Sequence, residues 1–395
     1  MQTDLSEPSL DSLLPELIAF RRDLHAHPEL GFQERRTAAR IAEWLGRLPG
    51  MRVRTGVAQT GIVATLAAGK PGPCLAFRAD MDALPVEDKC GQPHASTHPG
   101  VAHACGHDGH VACLLGAATL MAEAPDRLAG PVRFLFQPAE EGGGGARVMI
   151  EQGALEDPRP VAIFGLHGWP SLPAGTVGLR SGPIMASTDA IDLTVHGRGA
   201  HAASPNRGVD PIVAAAHIVT ALQTVVSRHR DPVEPAVVTI GSFHAGTARN
   251  VIPDTAELRG TLRTLSERQR TASRAAIRQV VEQTAAAFGA RAELRIAEGY
   301  PVNVNDPGLK AYVERVAVGL LGRERVVDGI PVSLGGEDFA YYAQQVPGCF
   351  WRLGVAPADG SPGVESLHNA CFDFNDEALA TGVRLHCGVA WSWGR

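Results

Sequence analysis

His103-Ala104-Cys105-Gly106-His107-Asp108-Gly109-His110 packs three histidines, a cysteine and an aspartate into one short stretch. The apolar run Val111 to Met121 behind it predicts a helix. A thiolate and an imidazole two positions apart can close on one metal ion, and both suit zinc-like ions. The glycines let the backbone fold tightly enough to aim both side chains at one point. Taken by itself the stretch also fits a polar turn around a buried structural cysteine, so its meaning depends on its neighbours.

Working outward, the segments on either side alternate between helix and strand patterns. Leu10–Phe20 and Glu34–Leu45 carry apolar residues at helical spacing. Cys74–Phe77 is an apolar strand running into Arg78-Ala79-Asp80-Met81-Asp82. Val132–Phe136 ends in Gln137-Pro138-Ala139-Glu140-Glu141 and a four-glycine run, and Val161–Leu166 ends in His167. This alternation predicts an α/β fold with parallel strands. In open α/β sheets ligands bind at the C-terminal strand edge, so Asp80, Glu140, Glu141 and His167 are expected to converge on the Cys105–His107 loop. Adjacent residues on extended backbone point oppositely. One glutamate of the pair can therefore hold metal while the other stays free to move a proton, although an acidic turn is the plainer reading. The glycine run is either a flexible linker or a close approach of main chain to a substrate.

From about Thr188 the texture changes. Strand Ala190–Val195, a helix opened by Asp210-Pro211, strands Ala236–Ile240 and Asp254–Leu262, helix Ser266–Phe288 and strand Ala292–Ile296 give the β-α-β-β-α-β order of a ferredoxin-like unit. The expected division is a discontinuous domain of residues 1–186 and 300–395 with an inserted domain of residues 187–299. After Pro301 the α/β texture returns through Pro307–Leu321, Phe350–Gly354 and a last helix, Asn375–Trp393.

The 395 residues are 45% hydrophobic and 20% charged, with a net charge of −6, which is ordinary for a soluble protein and unlike a nucleic-acid surface. Seven scattered cysteines do not form a disulfide framework and predict a reducing, cytoplasmic setting. No leader pattern is read in Met1–Pro15, and no membrane-spanning run follows. Neither a nucleophile elbow nor a dinucleotide fingerprint is present.

Eight stretches, in this order, resemble the M20 family of metallopeptidases: Arg78–Pro85, His103–His110, Gln137–Glu141, Leu166–Gly168, His196–Pro205, Arg249–Pro253, Gly335–Phe339 and Leu367–Asn369. The similarity is greatest to its amidohydrolase branch of hippurate, N-acyl-amino-acid and auxin-conjugate hydrolases. The resemblance implies a mixed-sheet di-metal hydrolase domain with an inserted ferredoxin-like α+β lid, which also dimerises. It implies metal ligands at Cys105, His107, Glu141, His167 and His368, a general base at Glu140 and an orienting carboxylate at Asp80. His201 falls at the lid histidine that steadies the oxyanion in a partner subunit's site. Asn250, Arg249 and Gly335 fall at substrate-binding positions. Arg78 stands where most of the wider family has a ligand histidine and cannot ligate. The implied cofactors are two divalent ions, zinc or manganese, with cobalt or nickel as alternatives. The implied substrate is an N-acyl amino acid and the implied assembly a homodimer, with no nucleic-acid or membrane partner. An aminopeptidase or dipeptidase, or a non-catalytic acyl-amino-acid binder, are the competing readings.

Overall fold

The computed structural model describes residues 7–358 and 365–394. Met1–Ser6, part of the N-terminal stretch read above, lies outside them. The chain divides into two compact units. One comprises the described residues up to Gly182 with Val304–Pro331 and Asp338 onward; the other comprises Pro183–Asn303 with Val332–Glu337.

The first unit opens with helices α1 (Glu7–Ala26) and α2 (Arg35–Gly46), followed by strands β1 (Met51–Val57), β2 (Gly61–Leu66) and β3 (Cys74–Asp80). Then come α3 (His107–Glu123), β4 (Val132–Gln137), α4 (Gly145–Glu151), β5 (Pro160–Pro173) and β6 (Val177–Leu179). Helix α3 starts four residues earlier than its apolar run suggests, so His107 and His110 ride on its first turn. Gly106, in the left-handed region at φ 85°, makes the break that lets the helix begin there. The helix is buried on nearly all its residues and packs against α1.

The second unit begins with β7 (Gly182–Met185), β8 (Ser187–His196), β9 (Ala200–His201), α5 (Pro211–Ser227), β10 (Ala236–Ala245) and β11 (Val251–Ile252). It continues with β12 (Thr255–Thr264), α6 (Glu267–Ala287) and β13 (Arg291–Glu298). Strands β10-β12-β8-β13 form one antiparallel sheet in the ferredoxin-like order. Ile191, Leu193 and Val195 on β8 meet Ile218 and Leu222 of α5 and Ile277 and Val281 of α6 in a core of their own. Buried Asp189 accepts from Arg270 Nη2 at 2.7 Å and Arg274 Nη2 at 2.6 Å, which ties α6 to β8.

The chain then runs through β14 (Asn303–Asn305), α7 (Pro307–Leu321), β15 (Val326–Asp328), α8 (Phe339–Gln345), β16 (Gly348–Ala356) and α9 (Ala378–Ser392). The large sheet of the first unit has the order β1-β2-β4-β3-β5-β16-β6-β15. Its centre, β4-β3-β5-β16, is parallel. The β1-β2 hairpin, the β2-β4 pairing and the β16-β6 pairing are antiparallel, so the sheet is mixed. The parallel reading holds for the strands that carry the polar ends. It fails where a short turn such as Ala58–Thr60 closes a hairpin, which leaves no room for a crossover helix.

Candidate active site

Strands β3, β4 and β5 run in the same direction and release their polar residues at one edge. Asp80 is the last residue of β3. Glu140 and Glu141 follow the end of β4 through Ala139, held at φ 52°, and His167 lies within β5. Cys105 and His107 arrive from the turn that opens α3, and His368 comes from the loop before α9 at φ 67°.

The structure brings five of these side chains together. The ligand atoms of Cys105, His107 and His167 lie within 4.8 Å of one another, as do those of Cys105, Glu141 and His368. Cys105 Sγ is 3.4 Å from His167 Nε2, and His368 Nε2 is 3.1 Å from Glu141 Oε1. His107, Glu140 and Glu141 make another such group. Two donor groups thus share one sulfur. Asp80 faces the same place, 3.7 Å from His107 Nε2.

The surrounding hydrogen bonds fix how each ring points. Asp82 Oδ1 sits 3.2 Å from His107 Nδ1, leaving buried His107 Nε2 turned toward Glu141 and without a hydrogen-bond partner. Gly168 N–H donates to His110 Nε2 at 2.7 Å, so His110 Nδ1 carries the proton and donates to Asp80 Oδ1 at 2.6 Å. His167 Nδ1 donates to the Gly168 carbonyl, which directs Nε2 at the thiol.

Asp82, His110, Arg78, Gln137 and Asp338 were not assigned site roles from sequence, apart from Arg78's exclusion as a ligand. Arg78 donates to Gln137 Oε1 at 2.8 Å, Asp80 Oδ2 at 2.6 Å and Asp338 Oδ1 at 2.8 Å. The guanidinium is fully buried and holds Asp80 in place. The Arg-x-Asp-x-Asp spacing, which begins on β3 and runs two residues past its end, was the available signal for Asp82, since alternate residues of extended chain share a face.

The electrostatics call for cations. Burial, then Glu141, Glu140 and Asp80, push the Cys105 thiol well above its usual range. Burial alone would favour neutral His107, but Asp80, Asp82 and Glu141 outweigh it and raise the ring to about 10. His167 is driven well below its ordinary value by burial, then by His110, and stays a neutral donor.

His201, Arg249, Asn250 and Gly335 are all exposed on the second unit. His201 pairs with Val251 across β9 and β11, and its Nδ1 accepts from Ala203 N–H at 3.0 Å. Ala202 N–H donates to the Asn250 carbonyl at 3.0 Å, so these two residues are neighbours.

The thiol, imidazole and carboxylate cluster at the C-terminal edge of an α/β sheet defines a metallohydrolase-type site. The family model for peptidase family M20/M25/M40 matches residues 76–392, and the chain belongs to that family. It is 42% identical over 371 residues to an N-acetyl-L-cysteine deacetylase of Bacillus subtilis, covering 94% of this chain and 86% of that one. It is 39% identical over 378 residues to IAA-amino acid hydrolase ILR1-like 4 of Arabidopsis thaliana, covering 95% and 84%. The crystal structure of the Bacillus subtilis YXEP protein, a dinuclear metal-binding peptidase of the M20 family, superposes with a TM-score of 0.84. The identity is 37%, and the match covers 96% of this chain and 98% of that one.

Proposed function

We propose that this chain is a metal-dependent amidohydrolase that cleaves the amide bond of N-acyl amino acids, releasing a carboxylic acid and a free amino acid. The observation that carries the reading is the pair of donor groups sharing Cys105, in a chain whose relatives include a deacetylase of N-acetyl-L-cysteine and an IAA-amino acid hydrolase.

The residues fit two divalent ions. His107 Nε2 is a buried, unpaired donor facing carboxylates, and the thiol among them ionises only against positive charge. Cys105, His107, Glu141, His167 and His368 would hold the ions, with zinc favoured by the thiol and manganese, cobalt or nickel also compatible. Bound there, such ions supply Lewis acidity at the acyl oxygen and make water more acidic. Glu140 is the proton carrier. It is buried and lies beside the ligand set, and Asp338 N–H approaches its Oε1 at 3.4 Å. It takes the proton of the attacking water and returns it to the leaving nitrogen. Asp80, fixed by Arg78 and His110, faces His107 Nε2 across 3.7 Å and is assigned the orienting role, while Asp82 holds the His107 ring at Nδ1.

On the second unit we assign oxyanion stabilisation to His201, recognition of the substrate carboxylate to Asn250 with Arg249, and substrate binding to Gly335. Their exposure supports these roles. The same reading makes the inserted unit a lid and the enzyme a homodimer. All seven cysteines are unpaired, which supports a cytoplasmic setting, and no helix among the described residues is long and apolar enough to cross a membrane.

Glu140→Gln should keep its ions by elemental analysis while turnover of N-acetyl and N-benzoyl amino acids falls about 10²- to 10⁴-fold. Near-native turnover would remove Glu140 from the chemistry. Dialysis against a chelator should abolish activity, and added zinc or manganese should restore it. Preference for free-amine dipeptides over acylated substrates would instead establish a peptidase.

A further inference from the structure

Between β3 and α3 the chain runs from Met81 to Gly106 without a helix or a named strand. This connection ends in Cys105 and leads into His107. Within it a separate group of donor atoms meets α1. His25, Asp88 and Cys90 each present a ligand atom, all within 4.8 Å of one another, and none belongs to the cluster described above.

We infer that His25, Asp88 and Cys90 form a further site for a zinc-class divalent ion, one that clamps this connection onto α1. The site does not depend on the hydrolase reading. An imidazole, a carboxylate and a thiol are the donor types that tetrahedral zinc takes. His25 Nε2 is buried, makes no hydrogen bond and pairs with Asp88 Oδ2 at 3.6 Å; burial lowers the ring's pKa, but Asp108 and Asp88 outweigh it and raise it to about 11, so an ion takes the place of that proton. Two ligand atoms on a tetrahedral ion with bonds of about 2.0–2.1 Å lie about 3.4 Å apart, so little movement is needed. The other ring nitrogen, Nδ1, is held 2.9 Å from Asp108 Oδ2. A carboxylate behind a metal-binding histidine sets the ring's orientation in just this manner.

Asp88 is held in place as well. Its Oδ1 accepts from Cys90 N–H at 2.8 Å and its Oδ2 from Ser96 N–H at 2.7 Å. The surroundings favour added positive charge. Asp108, Asp373 and Asp376 reach Arg21 within 3.2 Å, with Arg22 also on Asp376, so two arginines face these three carboxylates together with Asp88. Cys90 is only half-buried, which gives an ion and a fourth, solvent ligand a way in.

The test uses the full-length protein. Native enzyme and Cys90→Ser are each loaded with zinc, dialysed against the same zinc buffer and counted by elemental analysis. Cys90→Ser should hold one ion per chain fewer, with kcat/KM for an N-acetyl amino acid unchanged. Asp88→Asn should give the same deficit. Equal counts would overturn the site and leave His25 as an imidazolium between Asp108 and Asp88. Cobalt supplies a second readout. In a Cys105→Ser background, a thiolate-to-cobalt charge-transfer band should persist, survive Cys371→Ser and vanish on adding Cys90→Ser. Absence of the band in Cys105→Ser alone would also overturn the proposal. Neither readout requires turnover, so a failed hydrolase assignment would leave both interpretable.

Discussion

Arg78 shows how much a single position decides. Its guanidinium spans Asp80 and Asp338, residues from opposite ends of the chain, with no exposure to water. Removing one member of a buried ion group leaves uncompensated charge, at a cost of about 3–5 kcal/mol. Arg78→Met should therefore lower stability by that order in urea titration, and Arg78→Lys should rescue it only partly because a lysine lacks the fork. At this scale residue type alone leaves two readings open: Cys105-x-His107 also fits a polar turn, and an acidic turn is the plainer reading of Glu140-Glu141, until the fold gathers their ligand atoms with those of His167 and His368. The sequence is silent on Asp338, because nothing local connects an aspartate to a strand 260 positions away. Likewise the pairing of His110 with Asp80 depends on where α3 begins, and apolar periodicity does not report a helix's polar first turn.

Among the elements, the four-glycine run is an ordered turn leading into α4 rather than a loose linker. Gly144 sits in the left-handed region, and a side chain at Gly145 would place its Cβ 1.7 Å from the Pro138 carbonyl. The glycines let α4 start directly behind the Glu140-Glu141 turn. Gly145→Ala should cost about 1–3 kcal/mol through overpacking. It should also lower turnover by about 10²-fold by displacing Glu140, a sensitivity expected when reacting groups move by about 1 Å. Normal kcat in a destabilised variant would detach the turn's packing from its chemistry. The long elements were legible from periodicity and caps: Asp210 does accept from Ile212 and Val213 N–H at the start of α5. Three-residue strands such as β6 and β15 were not, because so few residues establish no period.

At the level of the whole molecule, stability should depend on pH through buried neutral histidines. His386 lies in the core between Phe77 and Trp351, and neither ring nitrogen has a hydrogen-bond partner. Burial, then His110, lowers its pKa from 6.5 to about 3. Between those values the unfolded chain binds a proton that the folded chain does not, so stability rises with pH there and is level above 6.5. As pH falls below 6.5, this ring should cost the fold up to about 1.4 kcal/mol per pH unit. Denaturation of His386→Leu across this range should show a slope shallower by that amount. An identical slope would mean the ring is hydrated or protonated in the native state. The sheet order carries a further consequence. Strand β16 lies between β5 and β6, yet it is translated long after both. At about 5–20 residues per second, the β5 edge waits roughly 10–35 s for its neighbour while the inserted unit is being made. On the ribosome that bare edge, Ile163 to Trp169, is a natural seat for a chaperone and a place where nascent chains could join.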